Sequence, residues 1–262
     1  MTTRSLEHPA ARSEAKQEDI DFQANLYNDP NPTRRGLHRA RRDWVIERID
    51  RYVSPSASVL EIGVGCGVFT RHVEQTGAHV LAVDINQAFL DGVDDLANVE
   101  ILNADATRDF GSRNVDLALL SEVLEHVPAD RSTAMLRTIY EALRPGGTLI
   151  LTTPQRFSTM ELTARLLAFP PLLALARKIY GSADELGHIN LLTRSRLMHQ
   201  INQVGFEVLE RTCFGFYLPG LAEFGGQRGA SILTAIGRAF GKTPILNNLI
   251  WTQAYVLRRP GV

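Results

Sequence analysis

From residue 58 onward, short runs of consecutive apolar residues alternate with stretches in which apolar residues recur every three or four positions. Continuous apolar runs bounded by turn residues read as buried strands, and the longer period reads as amphipathic helix. The pattern predicts strands over 58–62, 79–83, 99–102, 115–120 and 148–152, with helices near 68–76, 87–94 and 131–143. Arg144, Pro145, Gly146 and Gly147 then supply a stop and turn signal. Such alternation is the rhythm of a doubly wound α/β sheet. Right-handed crossovers put the carboxyl ends of parallel strands on one edge, where ligands bind.

The first strand ends in Glu61, Ile62, Gly63, Val64, Gly65, Cys66 and Gly67, after which Val68 and Phe69 open a helix. Glycines at alternate positions permit positive φ and let a ligand lie against bare main chain. The dinucleotide fingerprint G-x-G-x-x-G would need glycine in place of Val68. The P-loop fails too, because Gly241, Lys242 and Thr243 have Ile236 where its first glycine must stand.

The other strand ends carry polar side chains. Asp84, with Ile85 after it, closes the second strand about twenty residues past the first glycine, where an acid can accept from both hydroxyls of a ribose; capping the helix from Asn86 is the bland alternative. Asp105, followed by Ala106, could accept from an adenine amino group or could simply be a turn aspartate. The fourth strand runs into Ser121, Glu122, Val123, Leu124, Glu125, His126 and Val127, a polar cluster at the mouth of the site.

Length and charge narrow the class. The chain has 262 residues, 44% hydrophobic and 22% charged, with a formal net charge of −1, which suits one elaborated soluble domain and gives no global basic excess for nucleic acid. Cys66 and Cys213 are its only cysteines, and together with a polar amino terminus they point to a reducing, cytoplasmic setting. Residues 1–24 read as a mobile tail and 25–57 as a helical cap, whose first part, 25–35, looks loop-like. An arginine-dense helix over 36–52 holds Arg39, Arg41, Arg42, Arg48 and Arg51; it is either a solvated face or the source of an anion clamp drawn from Arg34, Arg35, His38 and Arg39.

The run 61–67, Asp84, Asp105, the 121–127 cluster and the Leu143 to Gly147 turn together resemble the class I S-adenosylmethionine-dependent methyltransferases, especially the small-molecule branch that includes the ubiquinone-biosynthesis O-methyltransferases. The resemblance covers roughly residues 59–154. It implies a Rossmann-like seven-stranded sheet of order 3-2-1-4-5-7-6 with the last strand antiparallel, closed by strands over 206–212 and 252–257 within a methyltransferase domain spanning 58–262. It also implies S-adenosylmethionine as cofactor, leaving S-adenosylhomocysteine: Glu61, Gly63, Gly65 and Gly67 along its methionine part, Asp84 with Ile85 at the ribose, Asp105 and Ala106 at the adenine, Ser121 and Glu122 beside the sulfonium.

Two excursions interrupt the expected frame, a helical insert over 155–192 and a glycine-containing stretch over 214–250 with an apolar helix at 232–240. In methyltransferases of this class such segments contact the substrate, so Arg39, Met160, Phe169, Tyr180 and Phe216 are the substrate-side candidates. Residues 160–180 could roof a greasy acceptor, touch a membrane surface through Arg165, Arg177 and Lys178, or pack as ordinary core. Methylation at oxygen, the leading expectation, needs a proton acceptor of near-neutral pKa. His126 is the first candidate and His188 the second, though either could merely orient its loop. Neither has metal-ligand spacing, so no structural metal is expected; a Mg²⁺ bridging substrate hydroxyls stays open. A small-molecule partner is expected, with no nucleic acid. The rival functions are a protein or RNA methyltransferase recognising its target through the arginine helix, a silent cofactor-binding subunit, and an NAD-dependent dehydrogenase.

Overall fold

The structure, a computed structural model, describes residues 17–108, 113–167 and 189–261. Seven strands form one sheet: β1 (Ser58–Ile62), β2 (His79–Asp84), β3 (Val99–Asn103), β4 (Val115–Ser121), β5 (Leu143–Pro154), β6 (Glu207–Phe214) and β7 (Thr252–Arg258). Their order is β3-β2-β1-β4-β5-β7-β6. β1 to β5 pair in parallel, whereas β7 runs antiparallel to both β5 and β6. This is the expected Rossmann-like sheet.

Both faces of the sheet are apolar because the central strands are buried on both sides. Leu60, Ala118, Leu120, Leu149 and Leu151 face one core, which α5 (Ser132–Ala142) and α7 (Arg194–Val204) cover with Leu136, Ile139, Leu197 and Ile201. Val59, Leu119, Ile150 and Val256 face the other, beneath α2 (Pro32–Tyr52), α3 (Val68–Gln75) and α4 (Gln87–Leu90). A third apolar cluster joins Leu37 of α2 to Phe216, Tyr217, Ala222, Leu233 and Trp251, with α8 (Pro219–Phe224) and α9 (Gly226–Gly241) as its walls.

Several local expectations change. Residues 17–24, assigned to a tail, and 25–26, assigned to the loop-like start of the cap, form α1 (Gln17–Leu26), and α2 begins at Pro32 rather than at Gly36. Asn31 caps α2 by accepting from the Thr33 and Arg34 N–H groups, and Pro32 at the first turn donates nothing that the cap would need. The Arg144 to Gly147 signal does end the helix at Ala142, yet the chain does not leave the sheet: Leu143 pairs with Val115, the register breaks, and Thr148 pairs with Leu117. Gly146, at φ 80°, takes up that bulge. The helix expected at 87–94 stops at Leu90, and that expected at 232–240 extends over Gly226–Gly241. Of the insert, α6 (Thr159–Leu167) is described, with Leu162 and Leu166 exposed. Phe169, Tyr180 and His188 lie outside the described residues, as does most of the segment considered for membrane contact. Among the described residues no helix is long and apolar enough to cross a membrane.

Candidate functional site

The turn after β1 is built from main chain. Gly63, Gly65 and Gly67 have φ of 80°, 54° and 73°, and Gly67 is the side-chain-free cap of α3. A Cβ on Gly63 would come within 2.2 Å of the Val123 side chain, and one on Gly65 within 2.5 Å of Gln23 Oε1. Only glycine satisfies both the backbone conformation and the close approach.

Two buried acids underlie this turn. Asp84 accepts from the Val64 N–H through Oδ2 and from the Asn86 N–H through Oδ1, both at 2.9 Å. The cap of α4 is Asn86, whose side chain accepts from the Ala88 N–H, while Asp84 holds the Asn86 N–H just before it. Burial raises the Asp84 carboxyl, and the surrounding backbone N–H donors pull it part of the way back. Glu61 accepts a 2.6 Å bond from Thr70 Oγ1. Burial, against the pull of that bond and with the help of the Asp84 charge, pushes the Glu61 carboxyl up to about 8. Asp105 is a turn aspartate: its Oδ1 accepts from Thr107 N at 3.0 Å and Thr107 Oγ1 at 2.7 Å. Its carboxyl sits below the usual range, since the Thr107 bonds and nearby Arg108 and Arg131 outweigh desolvation. Ile85 is 63% exposed at the rim, while the Ala106 side chain is buried and leaves only main chain to a ligand.

At the end of β4 the chain passes through Glu122, which has φ 56°, a left-handed conformation uncommon outside glycine and typical of functional turns. Thr152 Oγ1 of β5 donates to Glu122 Oε1 at 3.0 Å, so Ser121 Oγ, 2.9 Å away, must be the donor to Thr152. Arg41 Nη1 stands 3.1 Å from Glu122 Oε2, with both side chains largely buried. The Arg41 charge also acts on Tyr27, whose hydroxyl burial holds above its ordinary pKa against the pull of that guanidinium. Gln23, one turn earlier on α1, is the residue against Gly65. One relay of polar side chains thus joins the amino-terminal helices to the sheet edge. Behind it Glu125 is fully buried; Thr153 Oγ1 donates to its Oε2 at 3.0 Å, Oε1 has no partner among the described residues, and burial beside the Glu122 charge raises its carboxyl well above the usual range.

His126 closes the short turn Leu124–His126, half-buried, its N–H donating to the Val123 carbonyl at 2.9 Å. The proposed anion clamp does not form. Arg39 donates to the Tyr27 carbonyl at 2.7 Å, Arg34 pairs with Asp29 and Glu223, and Arg35 donates to the Asp29 and Pro30 carbonyls. The His38 imidazole, edge-on to Trp251, is lowered to about 3 by burial and by the charges of Arg41 and Arg34, so it is neutral. Phe216 is 8% exposed and packs edge-on to Phe240 inside the third cluster, and Met160 packs against the same cluster. The arginine of α2 that reaches the site is Arg41. Its spacing from Leu37, Trp44, Val45 and Arg48 puts it on the apolar stripe, a signal present in the sequence.

A glycine turn, a buried acid twenty residues on and a polar rim on the fourth strand make a cradle for a nucleoside carrying an amino-acid tail. Residues 35–211 match the model of the Methyltransferase domain family. The chain belongs to the S-adenosylmethionine-dependent methyltransferases. Its relatives include a carboxy-S-adenosyl-L-methionine synthase from Aeromonas hydrophila, 33% identical over 41% of this chain and 47% of that protein. A ubiquinone biosynthesis O-methyltransferase from Xanthomonas oryzae pv. oryzae is 32% identical over 51% of this chain and 58% of its own. The chain therefore spans about half the length of the curated relatives it matches. In fold it is similar to the N-methyltransferase NodS from Bradyrhizobium japonicum, solved with S-adenosyl-L-homocysteine, at TM-score 0.57 and 14% identity over 93% of this chain and 96% of that one. The cofactor of this methyltransferase family is S-adenosylmethionine, and the residues present fit it: bare main chain at the glycines, and a buried carboxylate whose two oxygens are already oriented by N–H donors.

Proposed function

We propose that this methyltransferase methylates an oxygen of a small lipophilic or aromatic acceptor. The observation that supports the reading is the apolar insert, whose helix α6 leaves Leu162 and Leu166 exposed while Phe216 and Trp251 are packed in the third cluster. Its complement is the state of the arginine helix. Arg34, Arg41, Arg42, Arg48 and Arg51 are all in ion pairs within the chain, so that of the helix's arginines only Arg35 and Arg39, bonded to carbonyl oxygens, have no carboxylate partner among the described residues, which disfavours an RNA or acidic protein target.

The donor, when bound, supplies an electrophilic methyl group on a sulfonium. Glu61 and the glycine main chain hold the amino-acid tail, Asp84 accepts from the ribose hydroxyls, Ile85 offers an apolar wall to the adenine, and Asp105 with the Ala106 main chain takes its polar edge. Ser121 and Glu122 border the reacting side. Because Arg41 fixes Glu122, that border is rigid, and alignment with exclusion of water accounts for much of the rate. His126 accepts the acceptor's hydroxyl proton, with His188 as the second candidate.

Labelled S-adenosylmethionine incubated with a fractionated metabolite extract tests this. Label is expected in a small, organic-extractable product, less in the His126→Ala variant. Label in RNA or protein would overturn the acceptor class, label retained in a modified donor would point to donor chemistry such as that named for the carboxy-S-adenosyl-L-methionine synthases, and donor binding without transfer would identify a silent subunit.

A further inference from the structure

A cavity lies toward the β6 edge of the sheet. It measures about 320 Å³ between the start of α7, the end of β6, the start of β7 and the turn after α9. In the antiparallel ladder Arg211 pairs with Tyr255 and Cys213 with Gln253, so these side chains share one face of the sheet. Three cations from three elements converge there: Arg194 at the first position of α7, Arg211 in β6, and Lys242 just past α9. Among the described residues no aspartate or glutamate lines the cavity, and the sequence from Phe224 to Val262 contains neither. None of the three cations makes an ion pair among the described residues, in contrast to Arg34, Arg41, Arg42, Arg48 and Arg51 of α2.

Unpaired like charges repel, and a cleft focuses their field. The uncharged wall is already committed elsewhere. Tyr255 Oη donates to Gln253 Oε1 at 3.0 Å, Gln253 Nε2 donates to the Leu192 carbonyl at 3.2 Å, and Gln155 Nε2 donates to the Asn247 and Ile250 carbonyls, both at 2.9 Å. What remains without a partner is Asn247 Oδ1, on a side chain 7% exposed that lines the cavity. A buried acceptor of this kind calls for a donor. The volume is at the small end of ligand pockets.

We propose that this cavity is an anion-binding site for a small molecule that carries a carboxylate or phosphate together with a hydroxyl. Arg194 and Arg211 present planar guanidinium forks to the anion, Lys242 adds a point charge, and Asn247 Oδ1 accepts the hydroxyl. The site stands apart from the glycine turn, and nothing in it depends on the donor assignment.

Calorimetric titration with inorganic phosphate and with citrate, at low ionic strength, is the test. The wild-type chain should bind at least one of the two saturably, the tighter probe naming the anion class. Arg211→Ala combined with Lys242→Ala should weaken that binding at least tenfold while leaving the melting temperature and the affinity for S-adenosylhomocysteine unchanged. Lys242→Glu, at an exposed position, should abolish it by placing a carboxylate beside Arg211. Absence of saturable binding to the wild type, or equal affinity in the wild type and both variants, would overturn the proposal.

Discussion

The glycine turn and the amino-terminal cap meet over the same edge of the sheet, but different forces hold them. At the turn, the positive-φ glycines and the Val64 and Asn86 N–H donors to Asp84 are all main chain, so the geometry is fixed by backbone chemistry. In the cap, Arg41 meets Glu122, and Asn31 donates to the Ala222 carbonyl and the Glu223 carboxylate, so side chains far apart in the chain must find their partners. The turn tolerates almost no side-chain change and the cap tolerates changes that keep its buried charges paired.

That contrast can be broken by substitution. Gly63→Ala imposes a left-handed alanine and a contact with Val123, and should cost about 3 kcal/mol or more in urea unfolding; a loss under about 1 kcal/mol, smaller than either term alone, would mean the turn is not backbone-limited. Arg41→Met keeps the packing but strands Glu122, and should cost about 3 kcal/mol, low in the range for buried pairs because both groups keep some solvent contact. It should also speed amide exchange in α1. Asp84→Ala leaves the Val64 and Asn86 N–H groups without their acceptor and should loosen the turn, and it should weaken S-adenosylhomocysteine by on the order of 1.5–3 kcal/mol for each charge-assisted ribose bond lost; unchanged affinity would show that Asp84 does not hold the ribose.

A pH effect comes next. Glu61 has a folded pKa of about 8 against an ordinary 4.5, so between these values the folded chain holds more proton than the unfolded one. Its contribution is fully present below 4.5 and is lost as pH rises toward 8, with a slope of at most about 1.4 kcal/mol per pH unit. Thermal unfolding of Glu61→Gln should fall less steeply across that window. Glu125, raised in the same direction, keeps the residual slope from vanishing. The smallest effect belongs to Arg39→Ala, an exposed side chain on carbonyl partners, expected within about 0.5 kcal/mol in stability and without change in donor affinity.

The same division explains what could be read from the chain alone. The alternate glycines, Asp84 and the sheet order follow from local pattern and from the resemblance those stations carry. Asp105 could be read two ways, and the Thr107 bonds that make it a turn residue do not exclude an adenine contact at its second oxygen. The cap was less legible. Arg39 and Arg41 look equivalent in a count of arginines, and only the fold of α1 against α2, which sets Tyr27 beside Arg41, separates them. Phe216 is aromatic and sits in the late excursion, as a substrate contact would, but Phe240 and Gly237 enclose it. Likewise α1 carries too weak an apolar pattern to announce itself, and it becomes intelligible as the element that sets Gln23 against Gly65.

The central claim is that the glycine turn with Asp84 is a seat for S-adenosylmethionine. Calorimetric titration of the wild-type chain with S-adenosylhomocysteine, with NAD⁺ under identical conditions, tests it most directly. The account predicts saturable binding of S-adenosylhomocysteine and none of NAD⁺. Binding of NAD⁺ with none of S-adenosylhomocysteine would contradict it.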